Sequence, residues 1–223
     1  MIELRNVTKT YGGRCVLKID SLVLETGKIY AAVGANGSGK STLARIIAGA
    51  LQPDAGSKVR FEPGLRVGYM PQASYPFQLS VLSNVLLTSR DRKADTPRAM
   101  ALLEELGIDN LAKKKASRLS GGETARMALA RLLMKENDIL VLDEPAAALD
   151  IHATQKAEEI IRRYRDENNC TVFLVTHSLK QAERMADELL FMHEGELAER
   201  GSCKEMLLSP KDARTKQFFD FYA

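Results

Sequence analysis

The stretch "GANGSGKST", Gly34 to Thr42, decides the fold. It satisfies the pattern G-x-x-x-x-G-K-[ST], with Gly34, Gly39, Lys40 and Ser41 at the required places. Glycine carries no Cβ to hold the backbone away, so N–H groups and a following helix start can converge on phosphate oxygens. Both flanks agree. "KIYAAV" before the loop reads as an apolar strand, and after it Leu43, Ile46, Ile47, Ala50 and Leu51 recur at i, i+3, i+4, i+7, i+8, one face of a helix. This order predicts a phosphate site formed by Gly34, Asn36, Gly37, Ser38, Gly39, Lys40, Ser41 and Thr42, with Lys40 reaching the outer phosphates and the Ser41 hydroxyl on Mg²⁺. A ligand-free glycine turn would need neither flank.

Outward from the loop, residues 1 to 33 read as β-rich, punctuated by Gly12-Gly13 and Gly27. Between about 77 and 118 the texture is helical. "TPRAMALLEELG" offers Thr96 as N-cap, Pro97 at the first helical position and Gly107 just past the end. From Ile139 short apolar strands return, "DILVLDEP" and "CTVFLVTH", with a helical stretch over 152 to 166 between them. "ELLFMHEGELAERG" reads as a hairpin about Glu194-Gly195, followed by a final helix or an extended tail. Strands alternating with helices predict an α/β fold with a mostly parallel sheet covered on both faces.

"ILVLDEP" delivers Asp143 and Glu144 to the carboxyl edge of that sheet, the edge where open α/β sheets bind ligands. Neighbouring residues at a strand end face different ways. Asp143 is therefore expected in the Mg²⁺ shell and Glu144 as the base that polarises an attacking water.

A chain of 223 residues, 45% hydrophobic and 27% charged, is long and apolar enough for a globular body. A net charge of +3, spread among nearly balanced acids and bases, argues against a dedicated nucleic-acid surface. "KKK", Lys113 to Lys115, reads as a solvated face. Cys15, Cys170 and Cys203 are odd in number and far apart, which fits a reducing cytosol and no zinc site. "MIELRNVTK" lacks an apolar signal core, and no apolar run approaches the roughly 20 residues that span a bilayer.

With Gly34 to Thr42, "LSGGE" at Leu119 to Glu123 and "ILVLDEP" in this order, the chain resembles the nucleotide-binding subunit of ATP-binding cassette transporters over essentially its whole length. The resemblance implies a P-loop NTPase core with a small N-terminal antiparallel β lobe and an inserted α-helical subdomain. In that organisation one domain spans 1–223: a core from 1–76 and 135–223, and a helical subdomain over about 77–134 that carries the signature. It also implies ATP as substrate with Mg²⁺, and roles for further residues. Tyr11 is similar to the aromatic that stacks on adenine. Gln72 is similar to the glutamine that joins the Mg²⁺ and water shell and senses the membrane partner, and Asp150 to the aspartate that communicates across a dimer. His177 resembles the histidine that contacts the γ-phosphate. His152 and His193 are read as solvent-facing.

Glu123 stands where the family usually has glutamine, and Ala146-Ala147 where it usually has hydroxyl-bearing residues. The short stretch between Gly49 and Gln72 leaves little room for the usual antiparallel lobe, as in cassettes serving metal-ion or tungstate-type oxyanion importers. The implied partners are transmembrane permease subunits, a second ATPase subunit and an extracytoplasmic solute-binding protein, without specific nucleic acid. The implied location is cytoplasmic, peripheral at the inner face of the membrane. Tyr75 and Phe77 are expected to line a groove for the permease. The alternative is a soluble cassette ATPase acting in cofactor assembly, on ribosomes or on nucleic acid.

"LSGGE" lacks a following lysine, so in the family it serves the site of a second copy, with Ser120, Gly121, Gly122 and Glu123 acting in trans. Ser120-x-x-Glu123 has capping-box spacing, which predicts that Glu123 folds back onto the Ser120 N–H and supports the helix end.

Overall fold

The structure, a computed structural model, describes residues 1–222. A hairpin of β1 (Ile2–Tyr11) and β2 (Arg14–Leu24) comes first, and β3 (Ile29–Val33) leads through the glycine loop into α1 (Lys40–Ile47). β4 (Lys58–Phe61) and β5 (Val67–Met70) precede a helical stretch of α2 (Val81–Val85), α3 (Arg92–Glu105) and α4 (Gly121–Leu133). Then follow β6 (Ile139–Asp143), α5 (Ile151–Asn168), β7 (Thr171–Val175), α6 (Leu179–Met185), β8 (Glu188–His193), β9 (Glu196–Ser202), α7 (Cys203–Leu208) and α8 (Ala213–Tyr222).

Among the described residues the strands form one sheet in the order β4-β1-β2-β9-β8-β3-β7-β6-β5. From β8 to β5 every pairing is parallel, while β1 pairs antiparallel with β2 and with β4. β3, β6 and β7 are buried at every position, as strands covered on both faces must be. Alternation along β3 divides its side chains. Tyr30 and Ala32 pack with Leu43 and Ile47 of α1, whereas Ala31 and Val33 pack with Leu179 and Ala182 of α6. This packing fixes the carboxyl ends of β3 and β6 next to one another across β7.

The antiparallel part uses only one strand from the short stretch after Gly49: β4, paired with β1. α1 is shorter than its apolar pattern predicts. Gly49, at φ +69°, turns the chain out of the helix, so Ala50 and Leu51 follow it rather than extend it. α3 begins earlier than expected. Asp91 caps it, its Oδ1 accepting from Lys93 N at 3.0 Å and Ala94 N at 3.1 Å. Thr96 instead donates its hydroxyl to the Arg92 carbonyl at 2.6 Å, and Pro97 lies inside the helix on its exposed side. The Glu194-Gly195 hairpin forms as expected, both residues having positive φ. The tail beyond it is helical. His152 is exposed, but His193 is partly buried and stacks on Phe191 with ring centroids 6.3 Å apart. The three cysteines are free, Cys170 and Cys203 being buried.

Asn84, fully buried in α2, organises the start of the helical stretch. Its Oδ1 accepts from Phe77 N at 2.9 Å, and its Nδ2 donates to the carbonyls of Phe77 at 3.1 Å and Ser80 at 3.0 Å. Asn84→Ala strands these groups and is expected to destabilise the fold by about 2–3 kcal/mol. At roughly 2–4 °C per kcal/mol for a chain of this size, calorimetry reads this directly. An unchanged thermal midpoint would show that water replaces the amide.

Candidate functional site

A cleft of about 640 Å³ opens at the carboxyl edge of β3, lined by Tyr11, Val16, Asn36 to Thr42, Gln72, Glu144 and His177. Gly34 lies beneath it at φ +148°, where a Cβ would sit 2.2 Å from the Met192 carbonyl oxygen. No other residue fits there.

Lys40 is 5% exposed and makes no ion pair among the described residues. Its ammonium donates to the carbonyls of Gly34 and Ala35, each at 2.8 Å, and to Ser38 Oγ at 3.4 Å. Burial lowers its pKa from the ordinary lysine value. The loop thus presents a desolvated cation whose hydrogen-bond partners are all neutral, a complement for a polyphosphate.

Asp143 does not line the cleft. It lies buried below, where its Oδ1 accepts the Ser41 hydroxyl at 3.0 Å across the gap between α1 and β6. Burial raises its pKa, the Ser41 hydrogen bond only partly opposing this. Glu144 follows with φ +51°, a left-handed conformation costing a side-chain-bearing residue on the order of 1–3 kcal/mol. Its N–H is held by the Val175 carbonyl at 3.0 Å, and the Ala147 N–H donates back to its carbonyl at 3.2 Å. The reversed backbone brings the Glu144 carboxylate to the cleft. There Gln72 Nε2 donates to its Oε2 at 3.0 Å, and His177 Nδ1 lies 3.7 Å from the same oxygen.

Tyr11, half exposed at the end of β1, forms the far wall, with the Lys9 ammonium 5.5 Å from its ring centroid. Val16 beside it escaped the sequence reading because nothing in its local pattern separates it from a sheet residue. The donors around Ser41 and Asp143 are hard oxygens, and among the described residues no group of three or more His, Cys, Asp or Glu is placed to hold a metal by itself. That set fits Mg²⁺, which takes few protein ligands and shares phosphate oxygens.

Ser120, Gly121, Gly122 and Glu123 lie outside this cleft. Ser120 caps α4 and the capping box closes, Glu123 N donating to Ser120 Oγ at 3.3 Å and Ser120 N to Glu123 Oε2 at 2.7 Å. Chiefly that backbone hydrogen bond lowers the Glu123 pKa. A Cβ on Gly122 would meet the Ala148 carbonyl oxygen at 2.7 Å, so the start of α4 rests on the turn that ends in Asp150. Asp150 is also outside the cleft. It caps α5, accepting from Ala153 N at 2.8 Å. Lys113 and Lys115 are exposed, but Lys114 is only partly so and departs from the expected solvated face, its ammonium lying 3.7 Å from Glu123 Oε2. No local periodicity links 114 to 123, so only the folded chain reveals this pair.

A second groove, about 360 Å³, runs between β5 and α4, lined among others by Met70, Pro71, Phe77, Leu87 and Arg131. Arg131 lies over the Phe77 ring at 5.3 Å. Tyr75 is 78% exposed and stands outside the groove that Phe77 lines.

The phosphate loop, the buried carboxylate bonded to its serine and the acidic strand end define a P-loop nucleoside triphosphatase. A family model described as ABC transporter matches residues 17–147, and the chain belongs to that family as an ATP-binding, ATP-hydrolysing subunit. It is 38% identical over 196 residues to the zinc import ATP-binding protein ZnuC of Pseudomonas fluorescens (strain Pf0-1), covering 86% of this chain and 74% of the relative. It is 36% identical over 208 residues to the tungstate uptake system ATP-binding protein TupC of Peptoclostridium acidaminophilum, covering 89% and 97%. A solved ATP-binding subunit of an ABC transporter shares the fold at TM-score 0.84 and 21% identity, over 99% of this chain and 98% of that one. A bacterial Atm1-family ABC exporter with ATP bound matches at TM-score 0.86 and 24% identity, over 100% and 42%. An exporter shares this fold, so the fold is silent on direction.

Asp143→Asn is expected to raise the thermal midpoint of the nucleotide-free protein by about 2–4 °C while hydrolysis is lost. Because the folded pKa of Asp143 is raised, its contribution to stability is fully present below the ordinary carboxylate range. It is lost as pH rises through the raised value, and the variant should lose that pH dependence. A lower midpoint at neutral pH would contradict this reading of the buried carboxylate.

Proposed function

We propose that this chain powers solute uptake as a head-to-tail pair of copies docked beneath a membrane permease on the cytoplasmic side, with Mg²⁺ accompanying ATP. The carrying observation is that the cleft gathers the phosphate loop, Gln72, Glu144 and His177, but none of Ser120 to Glu123. A single copy leaves one side of a bound triphosphate open. A second copy related by two-fold symmetry would close it, offering the Ser120 hydroxyl and the Gly121 and Gly122 N–H groups at the α4 start.

In this reading Lys40 exchanges its carbonyl contacts for the outer phosphates, and Tyr11 stacks on the adenine. Ser41, Asp143 and Gln72 would hold Mg²⁺, which would supply charge neutralisation for the triphosphate. Gln72 and His177 fix the Glu144 carboxylate, which takes a proton from water as that oxygen bonds to the γ-phosphorus and the β–γ bridge breaks, releasing ADP and phosphate. His177 also orients the γ-phosphate, and Asp150 carries the state of one copy to the other. ATP closes the pair and product release opens it, shifting the permease between its access states.

The permease is proposed to dock in the groove beside Phe77 and the exposed Tyr75, adjacent to Gln72 and hence to Glu144. The cargo class proposed is a metal ion or a tungstate-type oxyanion, supported by the ZnuC and TupC relatives, with an extracytoplasmic binding protein delivering it. Those relatives favour transport over a soluble cassette acting on ribosomes, nucleic acid or cofactor assembly. Glu144→Gln should retain ATP binding, trap the closed pair and lower turnover by about 10²–10⁴-fold. A steady-state ATPase rate equal to wild type would remove Glu144 as the base.

A further inference from the structure

A carboxylate at the signature poses a physical problem. Like charges repel, and Glu123 sits in the first turn of the very helix that the head-to-tail reading aims at a partner's triphosphate. Two contacts answer it. The capping box turns the carboxylate back, Glu123 Oε2 accepting Ser120 N at 2.7 Å, and the Lys114 ammonium lies 3.7 Å from the same oxygen. Lys114 is not a loose surface lysine. The Lys114 carbonyl accepts Val81 N at 3.0 Å, Lys115 bridges to Ser80, and Ala116 N donates to the Leu79 carbonyl at 2.9 Å. These bonds fix the backbone of the basic run against the start of α2, with Lys113 and Lys115 turned to solvent and Lys114 turned to α4.

We propose that Lys114 is a positioning residue of the trans half-site: it neutralises Glu123, so that the α4 start meets the partner copy's triphosphate without a net negative charge. This assignment rests on the head-to-tail reading above. A partly exposed ion pair of this kind, with side chains 37% and 24% exposed and 3.7 Å between the charged atoms, contributes little to fold stability, so its effect belongs to the nucleotide-bound pair and not to the monomer.

The test is a double-mutant cycle on the full-length Glu144→Gln chain, reading the dissociation constant of the ATP-induced pair by analytical ultracentrifugation at low and high salt. Lys114→Gln should weaken that pair about five- to tenfold in the Glu123 background and less than about twofold with Glu123→Gln present. Lys114→Arg should restore it, added salt should shrink the effect, and the thermal midpoint should move by less than about 2 °C. Equal weakening in both backgrounds, or none in either, overturns the assignment while leaving the paired reading intact. Failure of the Glu144→Gln chain to pair with ATP at all overturns the paired reading, and this assignment with it.

Discussion

A buried ammonium answered by two carbonyls and a hydroxyl, with no carboxylate paired to it among the described residues, is the constraint on which the rest of this structure depends. Lys40 donates to Gly34 and Ala35 because the loop between β3 and α1 wraps around it, and that wrapping needs Gly34 where any Cβ would strike the Met192 carbonyl. Below it lies the opposite charge, Asp143, also desolvated and tethered through Ser41. Neither charge forms an ion pair in the described residues, and burial disfavours the ionised form of each. The arrangement is poor as a stabilising device and complementary to a polyphosphate.

The second constraint is the reversed backbone at Glu144. A strand continuing past Asp143 would keep alternating; the left-handed turn instead brings the Glu144 carboxylate to Gln72 and His177. Gln72 follows β5 and is next in the chain to Pro71, which lines the groove beside Phe77, while its own side chain reaches Glu144 in the cleft. The start of α4 rests on the Ala148 carbonyl, next to Asp150 at the α5 cap. The groove and the cleft are thus joined through neighbouring chain positions, Pro71 and Gln72, rather than through a long relay.

Most of the architecture was legible in the sequence. The loop pattern identified β3 and α1, apolar runs identified β6 and β7, and Ser120-x-x-Glu123 identified the capping box at the α4 start. Helix limits were less legible. Gly49 ended α1 before its apolar pattern did, and Asp91 capped α3 more than a turn ahead of Thr96, taking the Lys93 and Ala94 N–H groups while the Thr96 hydroxyl turned back to the Arg92 carbonyl. Motifs alone brought distant residues such as Ser41 and Asp143 together, and contacts outside a motif were not legible: the burial of Asp143 beneath the cleft, Val16 on its wall and Lys114 beside Glu123. Local periodicity carries no information about such pairs; the order of strands in the sheet creates them.

In the head-to-tail pair proposed above, each copy holds half of a site which a second copy completes. Site-directed cross-linking addresses it most directly, using Glu144→Gln, Cys15→Ser chains, one carrying Asn36→Cys and the other Ser120→Cys. An inter-chain disulfide is expected to form with ATP and to be lost with ADP. A mixture that never cross-links with ATP, or that cross-links equally without nucleotide, would contradict it.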